Sequence, residues 1–277
     1  MQGRLLPPEE GRFQCFPRHK WREEFPLAAA AGLESIEWIY DRLGADVNPI
    51  ATDSGIAQVR SLSAQHGVAV ASLCADYFMD CPFVEAKGEA FADIVARLYW
   101  LIERCRRAAI ARIVLPFVDR SRLVTHEDEE RAVALLRDVL PLLERSGVEL
   151  HLETALDPPG FARLLAQLAH PMVKVNYDAG NSASLGFDVA EELAAYGRRI
   201  GSVHIKDRVL GGGTVPLGTG AADLSRLFAG LRELGFHGDY ILQAARGQSG
   251  DELILAIRNG EFVRTSISFA AAAAALR

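Results

Sequence analysis

The stretch 149–206 carries three short apolar runs, ELHLET (149–154), VKVNY (173–177) and SVHIK (202–206), separated by longer amphipathic segments. Runs of this length, rich in β-branched residues, are typical of buried strands, and the segments between them are long enough for helices. Consecutive strands joined through helices form a parallel sheet that is covered on both faces. The stretch therefore predicts the repeating strand–helix unit of an α/β protein.

The same alternation continues in both directions along the chain. Further strands are predicted at Ser35–Tyr40, Val68–Ala75, Arg112–Val118 and Asp239–Ala244, and helices at Trp21–Ala31, Ser54–His66, Gly88–Ala109, Glu127–Arg145, Pro159–Leu168, Asp188–Tyr196, Leu224–Leu234 and from Asp251 towards Ala275, with a break near Gly260. Seven strand–helix units follow residue 34, and MQGRLL (1–6) is the candidate for an eighth strand. The pattern predicts a (β/α)8 TIM barrel, a single domain over 1–277 with a short or truncated first strand.

Composition and charge exclude several classes of protein. Hydrophobic residues make up 49% and charged residues 24% of the 277 positions, which is the balance of a soluble globular protein. A net charge of -6 argues against a nucleic-acid partner. The longest apolar stretches, such as Phe269–Leu276, are too short to span a membrane, and four irregularly spaced cysteines favour reduced thiols. We expect a cytoplasmic enzyme.

Polar residues collect where the predicted strands end, which is where a parallel barrel carries its active site. They are Glu37, His151, Glu153, Asn176, Asp178, Asn181, His204, Lys206, Asp207, Arg208, Gln243 and Arg246. Glu153, Asp178 and His204 occupy equivalent positions of three consecutive units. Buried charge on neighbouring strands is costly unless something compensates it, so these three residues predict a divalent-metal site for Mn²⁺, Zn²⁺, Co²⁺ or Mg²⁺.

Seven segments together resemble the xylose isomerase-like TIM-barrel superfamily, and within it the sugar phosphate isomerase/epimerase group. They are MQGRL (1–5), FPLAAAAGLESIEWIYD (25–41), SLCADYFMD (72–80), HLET (151–154), YDAGN (177–181), HIKDR (204–208) and PLGTGAADL (216–224). The resemblance covers essentially the whole chain. It implies a small sugar or sugar phosphate as substrate, and by analogy a homo-oligomer.

The resemblance also implies roles for individual residues. The family holds its metal through Glu, Asp, His and Glu, and the first three match Glu153, Asp178 and His204. The fourth falls on Gln243, whose amide oxygen can bind a metal but whose side chain cannot accept a proton as a carboxylate can. Glu153 would remove a proton next to the sugar carbonyl, and Lys206 would stabilise the developing oxyanion.

The remaining polar residues at the strand ends are predicted to bind the substrate. These are Glu37, His151, Asn181, Asp207, Arg208 and Arg246. The loop GGGTVPLGTG (211–220) precedes a predicted helix, so it is either a phosphate-binding segment or a plain flexible loop.

Gln243 bears on the type of reaction. Epimerisation at one carbon generally needs one group on each face, whereas aldose–ketose isomerisation can be performed by a single base. We therefore expect an isomerase that acts through an enediolate, with a sugar (phosphate) 3-epimerase as the alternative, in which Glu37 or Asp207 would be the second group.

Four other readings remain open. They are a glycosidase that uses Glu37 and Glu153 as its two carboxylates, a non-catalytic sugar-binding barrel, a cyclitol dehydratase, and a metal-dependent endonuclease, which the acidic net charge disfavours.

Overall fold

Seven parallel strands form the centre of the molecule in a computed structural model that describes residues 1–275, with side chains as far as residue 270. The barrel strands are β1 (Ser35–Ile39), β2 (Ala69–Cys74), β3 (Arg112–Phe117), β4 (Glu149–Thr154), β5 (Val173–Asp178), β6 (Ile200–Ile205) and β9 (Asp239–Leu242), hydrogen-bonded in that order. Two further short strands, β7 (Asp207–Arg208) and β8 (Thr214–Val215), form an antiparallel hairpin after β6. The TIM-barrel prediction is confirmed.

The first residues take the place of an eighth strand without forming one. The backbone oxygen of Met1 accepts a hydrogen bond from Glu37 N at 2.9 Å, and Gln2 N donates to Leu242 O at 3.1 Å. Residues 1 and 2 therefore connect β1 on one side with β9 on the other. The amine of Met1 also donates to Ser35 O at 3.0 Å, so within the described residues the predicted first strand is reduced to these few backbone hydrogen bonds.

Helices cover the outside of the barrel. They are α1 (Glu24–Ala30), α2 (Asp53–His66), α3 (Tyr77–Asp80), α4 (Gly88–Ala108), α5 (His126–Ser146), α6 (Pro158–Gln167), α7 (Ala179–Leu185), α8 (Val189–Tyr196), α9 (Leu224–Glu233) and α10 (Glu252–Ala275). The sequence missed α3 and α7, since both are short helices that follow a strand directly. The predicted break near Gly260 is wrong because α10 runs through it.

Sequence signals at the helix ends explain where the long helices begin and stop. Thr125 and Asp128 form a reciprocal capping box at the start of α5, and Gly147 closes it with a φ of 68°. Gly67 closes α2 in the same left-handed conformation. None of the described helices combines the length and the apolar composition needed to cross a membrane.

The two sides of the barrel strands carry different side chains. The layer between strands and helices is apolar and includes Trp38, Phe25 and Leu164, each no more than 3% exposed. The side chains that point into the barrel are largely polar, including His204 at 0% and Glu153 at 5% exposed. A buried polar interior costs free energy unless its groups are paired, so it marks the functional part of the fold.

Candidate active site and metal centre

Three ligand-type side chains meet at the carboxyl end of the barrel. Glu153 on β4, Asp178 on β5 and His204 on β6 each offer an atom, and these atoms all lie within 4.8 Å of one another. The β5–β6 register places Asp178 directly opposite His204. Adjacent parallel strands thus bring together residues that are up to 51 positions apart in the sequence, which agrees with the arrangement expected for the metal ligands.

A hydrogen bond to Glu37 orients the imidazole of His204. Nε2 lies 2.7 Å from Glu37 Oε1. Nδ1 therefore points the other way, at 3.3 Å from Glu153 Oε2 and 3.8 Å from Asp178 Oδ2, and it has no aligned hydrogen-bond partner. Burial would lower the pKa of His204, but the surrounding carboxylates raise this pKa well above its ordinary value.

Two amide side chains hold the carboxylate of Glu153. Asn176 Nδ2 donates to Oε2 at 2.9 Å, and Asn181 Nδ2 donates to Oε1 at 2.7 Å. Asn181 is itself placed by its backbone N–H, which donates to Asp178 Oδ1 at 2.8 Å. The orientation of Glu153 is therefore fixed from β5 and the start of α7.

Lys206 is the cation of the centre. Its ammonium lies 3.2 Å from Asp178 Oδ2, 3.3 Å from Asn181 Oδ1 and 2.8 Å from Gln243 Oε1. Burial would raise the pKa of Asp178, but Lys206 and His204 outweigh this and hold it below its ordinary value. Gln243 turns its amide oxygen towards Lys206 and its amide nitrogen towards Gln2. Ligation of a metal by Gln243 stays a prediction.

The donor set fits a divalent cation. Two carboxylates and an imidazole nitrogen are the ligand types that Mn²⁺, Zn²⁺ and similar ions use. His204 Nδ1 is a buried nitrogen without a hydrogen bond, and it faces both carboxylates. A cation among Glu153, Asp178 and His204 would satisfy that nitrogen and compensate the buried negative charge.

A cleft of about 340 Å³ opens above these residues. Its walls are polar and include Glu153, Asn181, Lys206, Arg208 and Gln243 from the predicted set, together with Arg4, Arg12, Phe13, Gln14, Asp41, Cys74, Asp76, Met79, Asp80, Pro116, Val118, Asp119 and Thr214. Arg208 donates to Asn181 Oδ1 at 2.9 Å and to Gly212 O at 2.9 Å, both uncharged oxygens. The cleft walls thus combine cationic, anionic and amide groups that can form hydrogen bonds with a polar ligand.

Four residues predicted to bind substrate lie outside the cleft walls, namely Glu37, His151, Arg246 and Asp207. Glu37 sits behind His204, and His151, 0% exposed, is bonded to Ser202 and Glu149 lower in the barrel. Arg246 donates to the backbone oxygens of residues 3, 6 and 13 and so ties down the N-terminal segment. Each of these side chains is occupied in supporting the fold or the centre. The structure gives them partners that a substrate would have to displace.

Asp207 organises the loop that follows β6. It is 0% exposed, and its carboxylate accepts hydrogen bonds from the backbone N–H groups of Gly218, Gly220 and Ala222. Two of the backbone amides in the loop 211–220 considered for phosphate binding, those of Gly218 and Gly220, are therefore already used. Asp207 is not among the residues that line the cleft, and its role as a second proton-transfer group stays a prediction.

One wall of the cleft is formed by residues outside the predicted set of site residues. Asp76, Gln14 and Arg4 form a chain in which Arg4 Nη2 donates to Gln14 Oε1 at 3.2 Å and Gln14 Nε2 donates to Asp76 Oδ2 at 2.7 Å. Asp76 follows β2, so its place at a strand end was visible in the sequence. Gln14 and Arg4 lie in an irregular N-terminal segment, for which no periodicity predicts a position.

Residues 25–259 match the family model described as xylose isomerase-like TIM barrel. That match covers most of the chain, and the chain therefore belongs to this family. The resemblance seen in the sequence is confirmed.

Individual relatives in this family carry epimerase names. The chain is 27% identical over 248 residues to the putative L-ribulose-5-phosphate 3-epimerase SgbU of Escherichia coli K12, covering 80% of this chain and 83% of SgbU. Its fold matches an L-ribulose 3-epimerase structure with a TM-score of 0.77 and 18% identity, over 100% of this chain and 96% of that one. It also matches the IOLI protein with a bound zinc atom, with a TM-score of 0.70 and 19% identity, over 91% and 92% of the two chains.

Proposed function

We propose that this chain is a divalent-metal-dependent 3-epimerase of a ketose or ketose phosphate, an enzyme of the isomerase class. The observation that carries the proposal is the buried set Glu153, Asp178 and His204 beneath a polar cleft in a xylose isomerase-like barrel. The epimerase names of SgbU and of the L-ribulose 3-epimerase favour this reaction over the aldose–ketose isomerisation that the sequence suggested. The hydroxyl groups of a sugar could also form hydrogen bonds with the polar side chains of the cleft walls.

The metal would be held by Glu153, Asp178 and His204, and its charge would make the proton next to a sugar carbonyl more acidic. Glu153 accepts that proton, and Asn176 and Asn181 keep its carboxylate in one orientation. Lys206 holds a positive charge at the floor of the cleft, where negative charge develops on the substrate oxygen.

A phosphorylated substrate is favoured by the cations of the cleft. Arg4 donates only to backbone and amide oxygens, and Arg208 likewise donates only to uncharged oxygens among the described residues. Burial and the nearby charge of Arg246 lower the pKa of Arg4 to about 9, which reflects a buried cation without a carboxylate bonded to it. An anionic group of the substrate would compensate this charge.

The test is a reaction in deuterated water with Mn²⁺ added to the purified protein. L-Ribulose 5-phosphate and L-ribulose serve as substrates, and deuterium is located by NMR. The proposal predicts product inverted at C3 with deuterium at C3, at a higher kcat/KM for the phosphorylated sugar. Formation of an aldose with deuterium at C2 would establish the isomerase instead. Absence of exchange from both sugars would count against an epimerase or isomerase that acts on ribulose or its phosphate.

A further inference from the structure

Epimerisation requires a second proton-transfer group, and the position expected to supply it carries an amide. Gln243 can neither accept nor donate a proton at neutral pH. Its oxygen is also bonded to Lys206 at 2.8 Å. If the proposed function holds, another side chain on the cleft must exchange a proton with the face that Glu153 does not reach.

Five carboxylates line the cleft, and four of them are committed or exposed. Glu153 belongs to the metal centre. Asp41 accepts from the backbone N–H groups of Phe16 and Gly44 at 2.7 and 2.6 Å, so its oxygens maintain a turn. Asp80 is paired with Arg12 at 3.8 Å near the rim, and Asp119 is exposed. Asp76 is the remaining carboxylate among those that the structure places on the cleft.

Asp76 has the surroundings of a proton-transfer group. It is 7% exposed and lies two residues beyond β2, two strands away from Glu153 on β4. Its oxygens accept from Gln14 Nε2 at 2.7 Å and from Cys74 Sγ at 3.1 Å, and among the described residues no cationic side chain bonds to it. A sugar held over β4 to β6 would turn its other face towards the wall formed by β2 and the N-terminal segment.

We propose that Asp76 is the second catalytic residue of the epimerisation, exchanging a proton with the face of the sugar carbon opposite to Glu153. This inference rests on the proposed function and assigns a residue within it.

The proton balance of the step is simple. The Glu153 carboxylate removes the proton from the carbon, the C–H electron pair forms the double bond of an enediolate, and the carbonyl electrons move to oxygen. The carboxylic acid of Asp76 then donates its proton to the opposite face as the carbonyl reforms. Glu153 ends protonated and Asp76 ends ionised, and exchange with water resets both. The reverse reaction uses the same groups in exchanged roles.

The electrostatic surroundings of Asp76 agree with this role. The pKa of Asp76 is raised to about 6, mainly because the carboxyl group is buried. The hydrogen bonds from Gln14 and Cys74 lower this pKa, and the negative charges of Asp41 and Glu153 raise it. Arg4 is a nearby cation that is joined to Asp76 through Gln14. A carboxyl group with a pKa close to neutral can both donate and accept a proton under physiological conditions.

The experiment compares Asp76→Asn with wild type and with Asp93→Asn, which removes an exposed carboxylate from α4. Each C3 epimer of L-ribulose 5-phosphate is incubated separately with the Mn²⁺-loaded protein in deuterated water. In Asp76→Asn, inversion should fall by about 100-fold or more. Exchange of the C3 proton should persist for the epimer whose proton faces Glu153 and be lost for the other. Asp93→Asn should match wild type.

Each outcome of this experiment supports or overturns the proposed role of Asp76. Two results would overturn the role of Asp76 while the epimerase function stood. The first is an inversion rate in Asp76→Asn within about tenfold of the wild-type rate. The second is loss of exchange from both epimers in an Asp76→Asn protein that retains the wild-type melting temperature. No inversion or exchange by wild type would overturn the function and this inference together. Should Asp76→Asn prove unstable, Asp76→Glu keeps a carboxylate, and failure of this variant to restore any inversion would count against a proton-transfer role.

Discussion

His204 and Glu37 are joined across the barrel, from β6 to β1, by a hydrogen bond of 2.7 Å between Nε2 and Oε1. Both side chains are essentially inaccessible, at 0% and 1% exposure. The bond turns Nδ1 towards Glu153 and Asp178, the atoms that define the candidate metal site. Burial would raise the pKa of Glu37, but the contact with His204 outweighs burial and holds the pKa below its ordinary value. We therefore infer that Glu37 orients the imidazole of His204 towards the candidate metal site.

Replacing Glu37 by Gln should weaken metal binding without abolishing it. The amide keeps the size of the side chain but loses the charge that orients and polarises the imidazole. We expect the affinity for Mn²⁺ to fall about 10–100-fold, as is typical for partners of ligating histidines. Isothermal titration calorimetry measures it, with the exposed Glu34→Gln as the matched control. Unchanged affinity in Glu37→Gln would show that this bond does not support the site.

The absence of a side chain at Gly180 makes room for the side chain of Lys206. A Cβ at Gly180 would lie 2.6 Å from Cγ of Lys206, close to the backbone end of that side chain. Gly180→Ala should displace the ammonium from Asp178 and Gln243 and lower kcat/KM by roughly 10–100-fold. Gly213→Ala, where the added Cβ meets nothing within 4 Å, is the control. Equal kinetics in the two variants would argue that the position of Lys206 does not matter to the reaction.

Asp207 is expected to contribute to stability rather than to substrate binding. Asp207→Ala leaves the N–H groups of Gly218, Gly220 and Ala222 without their acceptor. The free energy of unfolding should fall by roughly 2–4 kcal/mol, and the loop 209–221 should become more sensitive to limited proteolysis. Urea denaturation measures the first effect. A raised KM with unchanged stability would instead place Asp207 at the substrate.

The inversion reaction should depend on the protonation of Asp76. Forward and reverse reactions both need one proton shared between Asp76 and Glu153, so they have the same pH profile. Because the pKa of Asp76 is about 6, kcat/KM for inversion should decline as pH rises above this value and the shared proton is lost. Gln14→Ala removes a hydrogen bond that lowers this pKa, so the decline should move to higher pH. An unshifted profile in Gln14→Ala would contradict the assignment of this limb to Asp76.

The barrel could be predicted from the sequence because strand and helix patterns are local. The strand ELHLET was predicted with its observed bounds, 149–154. The grouping of Glu153, Asp178 and His204 was also predictable, since equivalent positions on neighbouring parallel strands converge. Partners were not. Nothing in the sequence shows that His151 bonds to Ser202 inside the barrel, or that Arg246 binds carbonyls of the N-terminal segment. Such pairings depend on tertiary contacts between residues far apart in the chain.

The most direct test of the account is Mn²⁺ binding by calorimetry to wild type and to His204→Ala, with the exposed His126→Ala as the control. The account predicts one Mn²⁺ per chain in wild type and in His126→Ala, and loss of that binding in His204→Ala. Equal binding by wild type and His204→Ala, or no binding by wild type, would contradict a metal centre at Glu153, Asp178 and His204.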